Sequence, residues 1–350
     1  VGTVILQVQR SMDISKGSAS ILEGFKDIPI AIASFILASF LPKICLKKSL
    51  LLVLTFVTIF CFITPFTNGF WYFKILFLIV GVSFALIKIA VFATIGLITN
   101  NQKEHGSFMG ILEGVFMGGI LLGNIVFSFF IDDANPKSND WLNMYWFMGG
   151  VSLLAFLVLF VSKLDESQAG LEKQKFSEDF KEMVLLIVKP LTLIFIISIF
   201  LYVLIEQSFQ TYFPTFYTDI IHAPASMAIQ AAAVLGGAFM VGRFLGGFIL
   251  NKVKWIYLLT FCLTAAGILI VLVLPLAESS ATEGLIAWTN APLVVYLMPL
   301  IGFFLAPVYP TINSTILSSL PKHMHSSMAG LIVVFSALGG TTGSLITGNV

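Results

Sequence analysis

Charged residues are scarce in this sequence of 350 residues. Only 11% of the side chains are Asp, Glu, Lys or Arg and 58% are hydrophobic, whereas a soluble domain usually carries about 25% charged residues. The scarcity of charge excludes an ordinary soluble protein and predicts helices that lie in a lipid bilayer. The 19 basic and 18 acidic residues give a formal charge of +1, so the basic surface of a nucleic-acid-binding protein is missing and no nucleic-acid partner is expected.

Cysteine and histidine are also rare. The three cysteines, Cys45, Cys61 and Cys262, are an odd number set in or beside apolar runs, which argues against a disulfide framework or a zinc cluster. The four histidines fall in or beside predicted loops, and none joins a cysteine or carboxylate cluster at ligand spacing. No GxxxxGK[ST] loop is present to bind nucleotide phosphates. The sequence therefore predicts no metal, no cofactor and no intramembrane enzyme.

Long apolar runs make up most of the remaining sequence. A helix needs about 20 mainly apolar residues to cross the core of a bilayer. Runs of roughly this length lie at residues 18–42, 50–67, 71–99, 106–131, 141–161, 185–212, 227–250, 255–276, 292–317 and 328–350. Trp71, Trp141 and Trp255 fall at predicted span ends, where tryptophan anchors helices at the membrane interface. We expect an all-α polytopic membrane protein, and we interpret the sequence as a fragment that begins in one span and stops inside another.

The basic residues are distributed unevenly between the two sets of alternate loops. One set holds Lys43, Lys47, Lys48, Lys103, Lys163, Lys173, Lys175, Lys181, Lys252, Lys254 and Lys322. The other set holds only Arg10, Lys16 and Lys137. Because cytoplasmic loops retain Lys and Arg, the first set is predicted to face the cytoplasm. This distribution predicts a multi-pass protein of the cell (inner) membrane whose preceding N-terminus is also cytoplasmic.

The longest predicted cytoplasmic loop divides the spans into two groups. Residues 164–183 contain nine charged side chains, which is typical of a solvated connection. We therefore predict an N-terminal helix bundle at residues 1–163, a linker at residues 164–184 and a C-terminal bundle at residues 185–350.

The two predicted bundles resemble each other in sequence. A shift of 220 residues aligns the segments 105–110 and 325–330, Gly119 with Gly339, and Gly123 with Gly343. Both glycine pairs have the GxxxG spacing that lets helix backbones approach closely in lipid. Duplicated halves of six spans, joined by a long cytoplasmic loop, are the plan of the major facilitator transporters. On that plan the sequence lacks most of span 1 and all of span 12.

Four segments of the C-terminal half make the resemblance more specific. They are residues 200–206 (FLYVLIE), 241–246 (VGRFLG), 309–313 (YPTIN) and 339–343 (GGTTG). In the order and spacing of these segments the sequence resembles the fucose-galactose-glucose proton symporter branch of the major facilitator superfamily. The resemblance implies a secondary active transporter that moves a small polar solute, most favourably a sugar, by alternating access. It also implies H⁺ as the coupling ion and a transporter that works as a monomer.

Ionisable side chains inside the spans are candidate site residues, because each costs about 2.5–3.5 kcal/mol on insertion scales. Glu23, Lys26 and Asp27 occupy positions i, i+3 and i+4 of one predicted helix and share a face. This face is either the wall of a polar cavity, with a proton relay through Glu23 or Asp27, or a self-neutralised ion cluster near the outer rim.

A second basic candidate lies in the middle of span 4. The resemblance implies an acidic coupling residue in this span, but Leu86 stands at that position and Lys88 lies two residues further on. We expect Lys88 to pair with a carboxylate of a neighbouring helix, Asp27 or Glu113, or to meet an anionic solute in the cavity. Because Lys26 and Lys88 are cations, an organic anion such as a carboxylate or a sugar phosphate is the alternative solute. A transporter-like receptor that binds solute without moving it remains a third hypothesis.

The polar residues of span 7 suit a neutral solute. Glu206, predicted about two turns from the outer end of the span, shares a helical face with Gln210, and Gln207 is adjacent. This donor and acceptor pair is suited to sugar hydroxyl groups, and the resembled branch carries the same glutamate. The alternative role of Glu206 is a hydrogen bond to a neighbouring helix. Tyr309 and Asn313 in span 10 are further candidates, although such side chains also serve as contacts between helices.

Glu113 and Arg243 complete the set of buried ionisable candidates. Both are predicted on the inner side of the midplane, and both are flanked by glycines. We assign them to gating or to helix packing in preference to contact with the solute.

Overall fold

The structure of the protein is a computed structural model. It describes residues 2–14, 16–40, 45–67, 69–131, 137–164, 166, 185–223, 225–278 and 288–348. The main helices are α1 (Gly2–Ser11), α2 (Lys16–Phe40), α3 (Leu46–Ile63), α4 (Phe70–Ile98), α5 (Gln102–Ser128), α6 (Met144–Val161), α7 (Pro190–Thr215), α8 (Ala225–Leu250), α9 (Trp255–Glu278), α10 (Leu293–Leu305), α11 (Val308–Ser318) and α12 (His325–Gly348). The described ranges contain no β-strand, so the all-α prediction is confirmed.

The predicted spans correspond closely to the observed helices. Nine helical segments of the described residues are long and apolar enough to cross a membrane: Leu46–Phe66, Phe70–Ile98, Gln102–Phe127, Asp140–Val161, Pro190–Pro214, Met227–Leu250, Trp255–Ala277, Leu293–Ser318 and His325–Gly343. The remaining predicted span, 18–42, corresponds to α2. This helix has 25 residues, which makes it roughly 37 Å long.

Span 7 begins later and extends further than predicted. Lys189 precedes the first residue of α7, Pro190, because proline fits the first position of a helix, where no N–H partner is needed. At its other end α7 passes Tyr212 and continues to Thr215, where a π-helical turn, Phe216–Ile220, follows. Glu206 therefore lies deeper in the span than the predicted two turns.

Span 10 is interrupted within its length. The predicted single helix is divided into α10 and α11, with Ala306 and Pro307 between them. Pro307 has no N–H to continue the ladder of α10. The interruption leaves carbonyl groups at the end of α10 without helical partners.

The helices form two compact units. Unit 1 comprises Val1–Leu97, Leu122–Ile187 and Pro321–Ala337, and unit 2 comprises Ile98–Leu121, Val188–Leu320 and Leu338–Val350. These units differ from the predicted division at residues 163 and 185 mainly in two segments, Ile98–Leu121 and Pro321–Ala337. When the sequence is shifted by 220 residues, Ile98–Leu121 aligns with residues 318–341, which include Pro321–Ala337. The two segments that differ from the predicted division are therefore related by the sequence repeat. The linker prediction at residues 164–184 falls almost wholly outside the described residues.

Unit 1 has an aromatic core around Trp141. The Trp141 side chain is 2% exposed, and its ring lies 5.7 Å from that of Phe73 and 6.2 Å from that of Phe127. The prediction that Trp141 anchors the interface is therefore wrong, because a 3₁₀ turn, Asp140–Asn143, precedes α6 and carries the indole into the bundle. Trp71, at the start of α4, is 72% exposed, as an interfacial residue should be.

One residue of the predicted linker has a defined place in unit 1. The carboxylate of Glu166 accepts hydrogen bonds from the backbone N–H groups of Leu46, at 2.6 Å, and Lys47, at 2.8 Å. In turn the Lys47 ammonium donates to the carbonyl oxygens of Phe160 and Ser162 at the end of α6. These bonds cap two helix ends that would otherwise be unsatisfied and join α3 to α6.

Candidate functional site

Glycines hold α5 and α8 close together in unit 2. A Cβ atom on Gly110 would lie 2.5 Å from the Gly247 Cα, and one on Gly247 would lie 2.9 Å from the Ser107 carbonyl oxygen. Real Cβ atoms do not approach so closely, so neither position accepts a side chain without movement of the helices. The close approach places Glu113, on α5, against α8.

The two glycine pairs of the sequence repeat, Gly119 with Gly123 and Gly339 with Gly343, differ in how closely they pack. A Cβ on Gly339 would lie 2.4 Å from the Phe200 carbonyl oxygen, and Gly343 is as tightly packed against α7. Among the described residues, a Cβ on Gly119 or Gly123 would meet nothing within 4 Å, so the predicted close packing at these two residues is wrong. The face of α5 that packs closely is instead the one that contains Gly110.

A three-residue ion network forms the centre of the candidate site. The Arg243 guanidinium donates from Nη1 to Glu113 Oε2 at 3.1 Å and from Nη2 to Glu206 Oε1 at 2.8 Å. The three residues are 3–8% exposed. The network therefore joins α5, α7 and α8 through charge-assisted hydrogen bonds inside the protein.

The direction of helical side chains explains how Arg243 reaches Glu206. Measured along the helices at about 1.5 Å per residue, Glu206 lies roughly 21 Å before Ile220 and Arg243 lies roughly 27 Å after Ala225. Each Cα–Cβ bond leans toward the N-terminus of its own helix. Arg243 on α8 thus leans toward the α7–α8 connection, Glu206 on α7 leans away from it, and the two side chains converge.

Aromatic side chains enclose the guanidinium. Its Cζ atom lies 6.0 Å from the centre of the Phe239 ring and 5.9 Å from that of Tyr309, distances that allow cation–π attraction. Tyr202 stacks on Tyr309 with ring centres 6.1 Å apart. Its hydroxyl group donates to the Leu305 carbonyl oxygen at 2.8 Å, which satisfies a carbonyl left open where span 10 is interrupted.

The polar neighbours of Glu206 agree in part with the sequence prediction. Gln210 donates from Nε2 to Glu206 Oε1 at 3.2 Å, as the i, i+4 spacing led us to expect. Gln207 instead lies beside Thr211, with Nε2 3.5 Å from the hydroxyl oxygen. Glu206 and Gln210 therefore belong to the network, whereas Gln207 occupies another face of α7.

Span 10 contributes two further polar groups next to Tyr309. Asn313, one turn further along α11, is fully buried, and within the described ranges neither atom of its amide has a hydrogen-bond partner. The hydroxyl oxygen of the adjacent Ser314 lies 2.9 Å from His105 Nδ1. His105 was predicted to lie in or beside a loop, but it is a buried residue of α5.

The candidate residues of span 2 are more accessible and lie in unit 1. Lys26 pairs with Asp27 at 3.0 Å, with side chains that are 20% and 42% exposed. This contact agrees with the hypothesis of a locally neutralised ion cluster, although Asp27 stays a candidate for a proton relay. The side chain of Glu23, the third predicted member, lies outside the described residues.

Lys88 of unit 1 has an aromatic environment. Its ammonium lies 5.7 Å from the centre of the Phe84 ring and 5.5 Å from that of Phe92, both on α4. The carboxylates predicted as its partners contact other cations, since Asp27 contacts Lys26 and Glu113 contacts Arg243. Two aromatic faces thus supply part of the electrostatic environment of Lys88.

The arrangement in unit 2 combines charge, hydrogen bonding and an aromatic wall. Two carboxylates share one guanidinium, so the network carries a formal charge of −1 when both carboxylates are ionised. Sequence reasoning identified all three charged residues but assigned Glu206 and Arg243 to separate roles. It missed Tyr202, whose position four residues before Glu206 on the same helical face was the available signal.

Comparison with known proteins gives a consistent result. A family model described as Major Facilitator Superfamily matches residues 1–344. Among curated proteins, a "Protein TsgA homolog" of Buchnera aphidicola subsp. Acyrthosiphon pisum (strain Tuc7) is 21% identical over 349 residues, which cover 99% of this chain and 82% of that protein.

Solved structures show the same fold. FucP, an E. coli fucose:proton symporter, has an outward-conformation crystal structure that is similar to this chain with a TM-score of 0.80 at 14% identity, covering 99% of this chain and 87% of that one. The proton:xylose symporter XylE is similar with a TM-score of 0.66 at 16% identity, covering 99% and 82%. At these identities the similarity shows the fold.

Proposed function

Because this chain belongs to the Major Facilitator Superfamily and is a multi-pass membrane transporter, we propose that it moves a small polar solute by alternating access with proton coupling. A sugar is the favoured solute class. The buried network of Glu113, Arg243 and Glu206 is the observation that carries this proposal. We further propose that the protein lies in the inner membrane as a monomer, with the linker at residues 164–184 in the cytoplasm.

The proposal of a sugar is supported by the hydrogen-bonding groups near the network. Glu206 and Gln210 offer acceptors and donors on one helical face. Tyr309 lies beside the guanidinium, and Asn313 follows one turn further along α11. A neutral hydroxyl group both donates and accepts hydrogen bonds, so it binds to such a mixture of groups and does not require a concentrated positive charge. FucP and XylE, which share the fold, are described as fucose:proton and proton:xylose symporters.

The proposal of proton coupling is supported by the charge balance of the network. The titratable groups that act on Arg243 are Glu206, Glu113, Tyr202 and Tyr309. One proton on either carboxylate brings the guanidinium and its two partners to neutrality. We assign the proton to the Glu113 and Glu206 pair jointly, because both carboxylates bond to the same guanidinium. Membrane carboxylates in such positions commonly take part in proton relays.

An anionic solute is the second candidate, and Lys88 is the observation that favours it. This ammonium lies within the span formed by α4, where a carboxylate or phosphate group would meet a cation in a medium of low dielectric constant. Lys26 would add a second cation if the solute displaced its contact with Asp27. A receptor that binds a solute without transporting it is the remaining alternative.

Uptake by proteoliposomes that contain the full-length protein tests the proposal. Labelled hexoses, sugar phosphates and small carboxylates are compared with and without an imposed pH gradient. We expect gradient-driven uptake of a hexose. Uptake of anions alone would replace the sugar hypothesis with the second candidate, and binding without flux would identify a receptor.

The role of the network is tested with Glu206→Gln in the same vesicles. We expect this variant to lose at least ten-fold in gradient-driven uptake and to retain solute counterflow, because an amide keeps the hydrogen bonds but does not carry the proton. Glu104→Gln is the matched control, since Glu104 is a half-buried residue near the start of α5 whose carboxylate accepts a hydrogen bond from the backbone N–H of Asn100. Equal losses in the two variants would contradict proton coupling at Glu206.

A further inference from the structure

The polar side chains of α11 are satisfied with one exception. Every residue from Val308 to Leu317 is buried. The Thr311 hydroxyl donates to the Pro307 carbonyl oxygen at 2.6 Å, the Thr315 hydroxyl donates to Thr311 at 2.7 Å, and Ser314 contacts His105. Asn313 is 0% exposed, and neither its Nδ2 nor its Oδ1 atom has a partner in the described part of the chain.

A buried amide without partners is energetically unfavourable. Leaving one buried donor or acceptor unsatisfied costs about 1–3 kcal/mol, whereas an apolar side chain of the same shape avoids this cost. Nearly all buried polar atoms in proteins are bonded to protein or to ordered water. Leucine has almost the shape of asparagine and would suit this apolar helix, so the amide at position 313 points to a molecule that satisfies it.

The chemistry of the amide defines that molecule. The side-chain amide of asparagine offers two N–H donors and one carbonyl acceptor. A hydroxyl group accepts at its lone pairs and donates its one proton, so it can bond to both ends of the amide. A charged ligand fits less well, because Asn313 supplies no charge to balance it in a buried place.

We propose that the Asn313 side chain binds a hydroxyl-type oxygen, either that of an internal water or that of a hydroxyl group on the transported solute. The solute source rests on the proposed function, whereas the water source does not depend on it. In both cases Asn313 supplies a polar site next to the network and within the buried part of α11.

The position of Asn313 suits such a site. On α11 it lies one turn from Tyr309, whose ring faces the Arg243 guanidinium, and directly before Ser314, which reaches His105. On α5, His105 and Glu113 are separated by eight residues, or roughly 12 Å. A hydroxyl oxygen held by Asn313 would therefore lie between the ion network and the His105–Ser314 contact, and would extend the line of buried polar groups along α11.

The test uses Asn313→Leu in the purified full-length protein, with thermal unfolding measured in the absence of solute. If the site holds water, we expect the melting temperature to fall by roughly 1 °C or more, as the loss of one buried hydrogen bond does in a chain of this size. If the site holds a solute hydroxyl, we expect an equal or higher melting temperature without solute, because leucine removes an unsatisfied amide, and at least a ten-fold higher KM for uptake of the hexose. An equal or higher melting temperature together with an unchanged KM would overturn the proposal.

Two further variants keep the test decisive. Thr311→Val is the matched control on the same helix, because it removes a buried hydroxyl group that donates to the carbonyl oxygen of Pro307, directly before α11, and it should leave KM unchanged. Asn313→Ser replaces the amide with a shorter hydrogen-bonding group and creates room for water, so it should fold even if the leucine variant does not. A serine variant with the melting temperature and KM of the leucine variant would contradict a hydroxyl site. Because the melting experiment needs no solute, its result is separate from that of the transport proposal.

Discussion

Units 1 and 2 hold their intramembrane charges in different ways. In unit 1, Lys26 and Asp27 are neighbours on one helix, and their side chains are 20% and 42% exposed. In unit 2, Arg243 is 4% exposed and bonds to carboxylates 37 and 130 residues away in sequence. The difference shows that the cost of a charge in a span depends on burial and on how many helices supply its partners. We therefore expect the removal of the partly exposed pair to cost little stability and the disruption of the buried network to cost much more.

Arg243→Met is expected to have the largest effect. It removes the shared cation and leaves Glu113 and Glu206 buried without it, and breaking a buried ion pair in this way costs about 3–5 kcal/mol. We expect this loss in the free energy of unfolding, measured by thermal or denaturant unfolding of the purified protein, and a loss of uptake.

A triple variant separates two possible causes of that loss, the unpaired carboxylates and the lost packing of the arginine side chain. Adding Glu113→Gln and Glu206→Gln to Arg243→Met removes the unpaired charges, so we expect most of the stability to return even though uptake does not. A triple variant as unstable as Arg243→Met would mean that the arginine acts through its packing against Phe239 and Tyr309.

Gly110→Leu should have an intermediate effect. A side chain at this position would collide with the backbone of Gly247, and overpacking of this kind costs about 1–3 kcal/mol. Because α5 must move away from α8, the contact between Glu113 and Arg243 should weaken as well. We expect reduced stability in unfolding measurements and a smaller additional penalty when Glu113→Gln is already present.

Gly119→Leu is the matched control for this prediction. The two glycines lie on the same helix, but among the described residues nothing lies within 4 Å of a Cβ at Gly119, so its replacement should not lower the free energy of unfolding by more than about 0.5 kcal/mol. Equal losses in the two variants would show that the close contact with α8 is not the cause, since leucine favours a helix more than glycine does.

The glycines also show how much of the helix packing the sequence alone predicts. Apolar periodicity and length predicted the helices, because these properties are local and a bilayer requires about 20 apolar residues for each crossing. The GxxxG spacing was correct for Gly339 and Gly343 but wrong for Gly119 and Gly123. Spacing identifies helices that can approach closely, but the face that makes the contact depends on the arrangement of the neighbouring helices.

The sequence predicted the charged residues of the candidate site but not the contacts between helices that bring them together. The i, i+4 rule predicted the contact of Gln210 with Glu206, because both residues lie on one helix. No local pattern relates Arg243 to Glu113, since the distance between them is set by packing of α5 against α8. His105 was missed for the same reason, because its importance depends on its contact with α11. Tyr202, in contrast, shares a helical face with Glu206 and could have been included.

Lys26→Met is expected to have the smallest effect. Its partner Asp27 is 42% exposed, and a pair that is partly accessible contributes about 0–1 kcal/mol. The tight contact of α2 with Gly81 involves the backbone carbonyl of Lys26, so it is retained in the variant. We expect stability within 1 kcal/mol of the unchanged protein and normal uptake of a hexose. Selective loss of anion uptake would instead assign Lys26 to the solute pathway, and a loss of stability as large as that of Arg243→Met would remove the contrast between the two units.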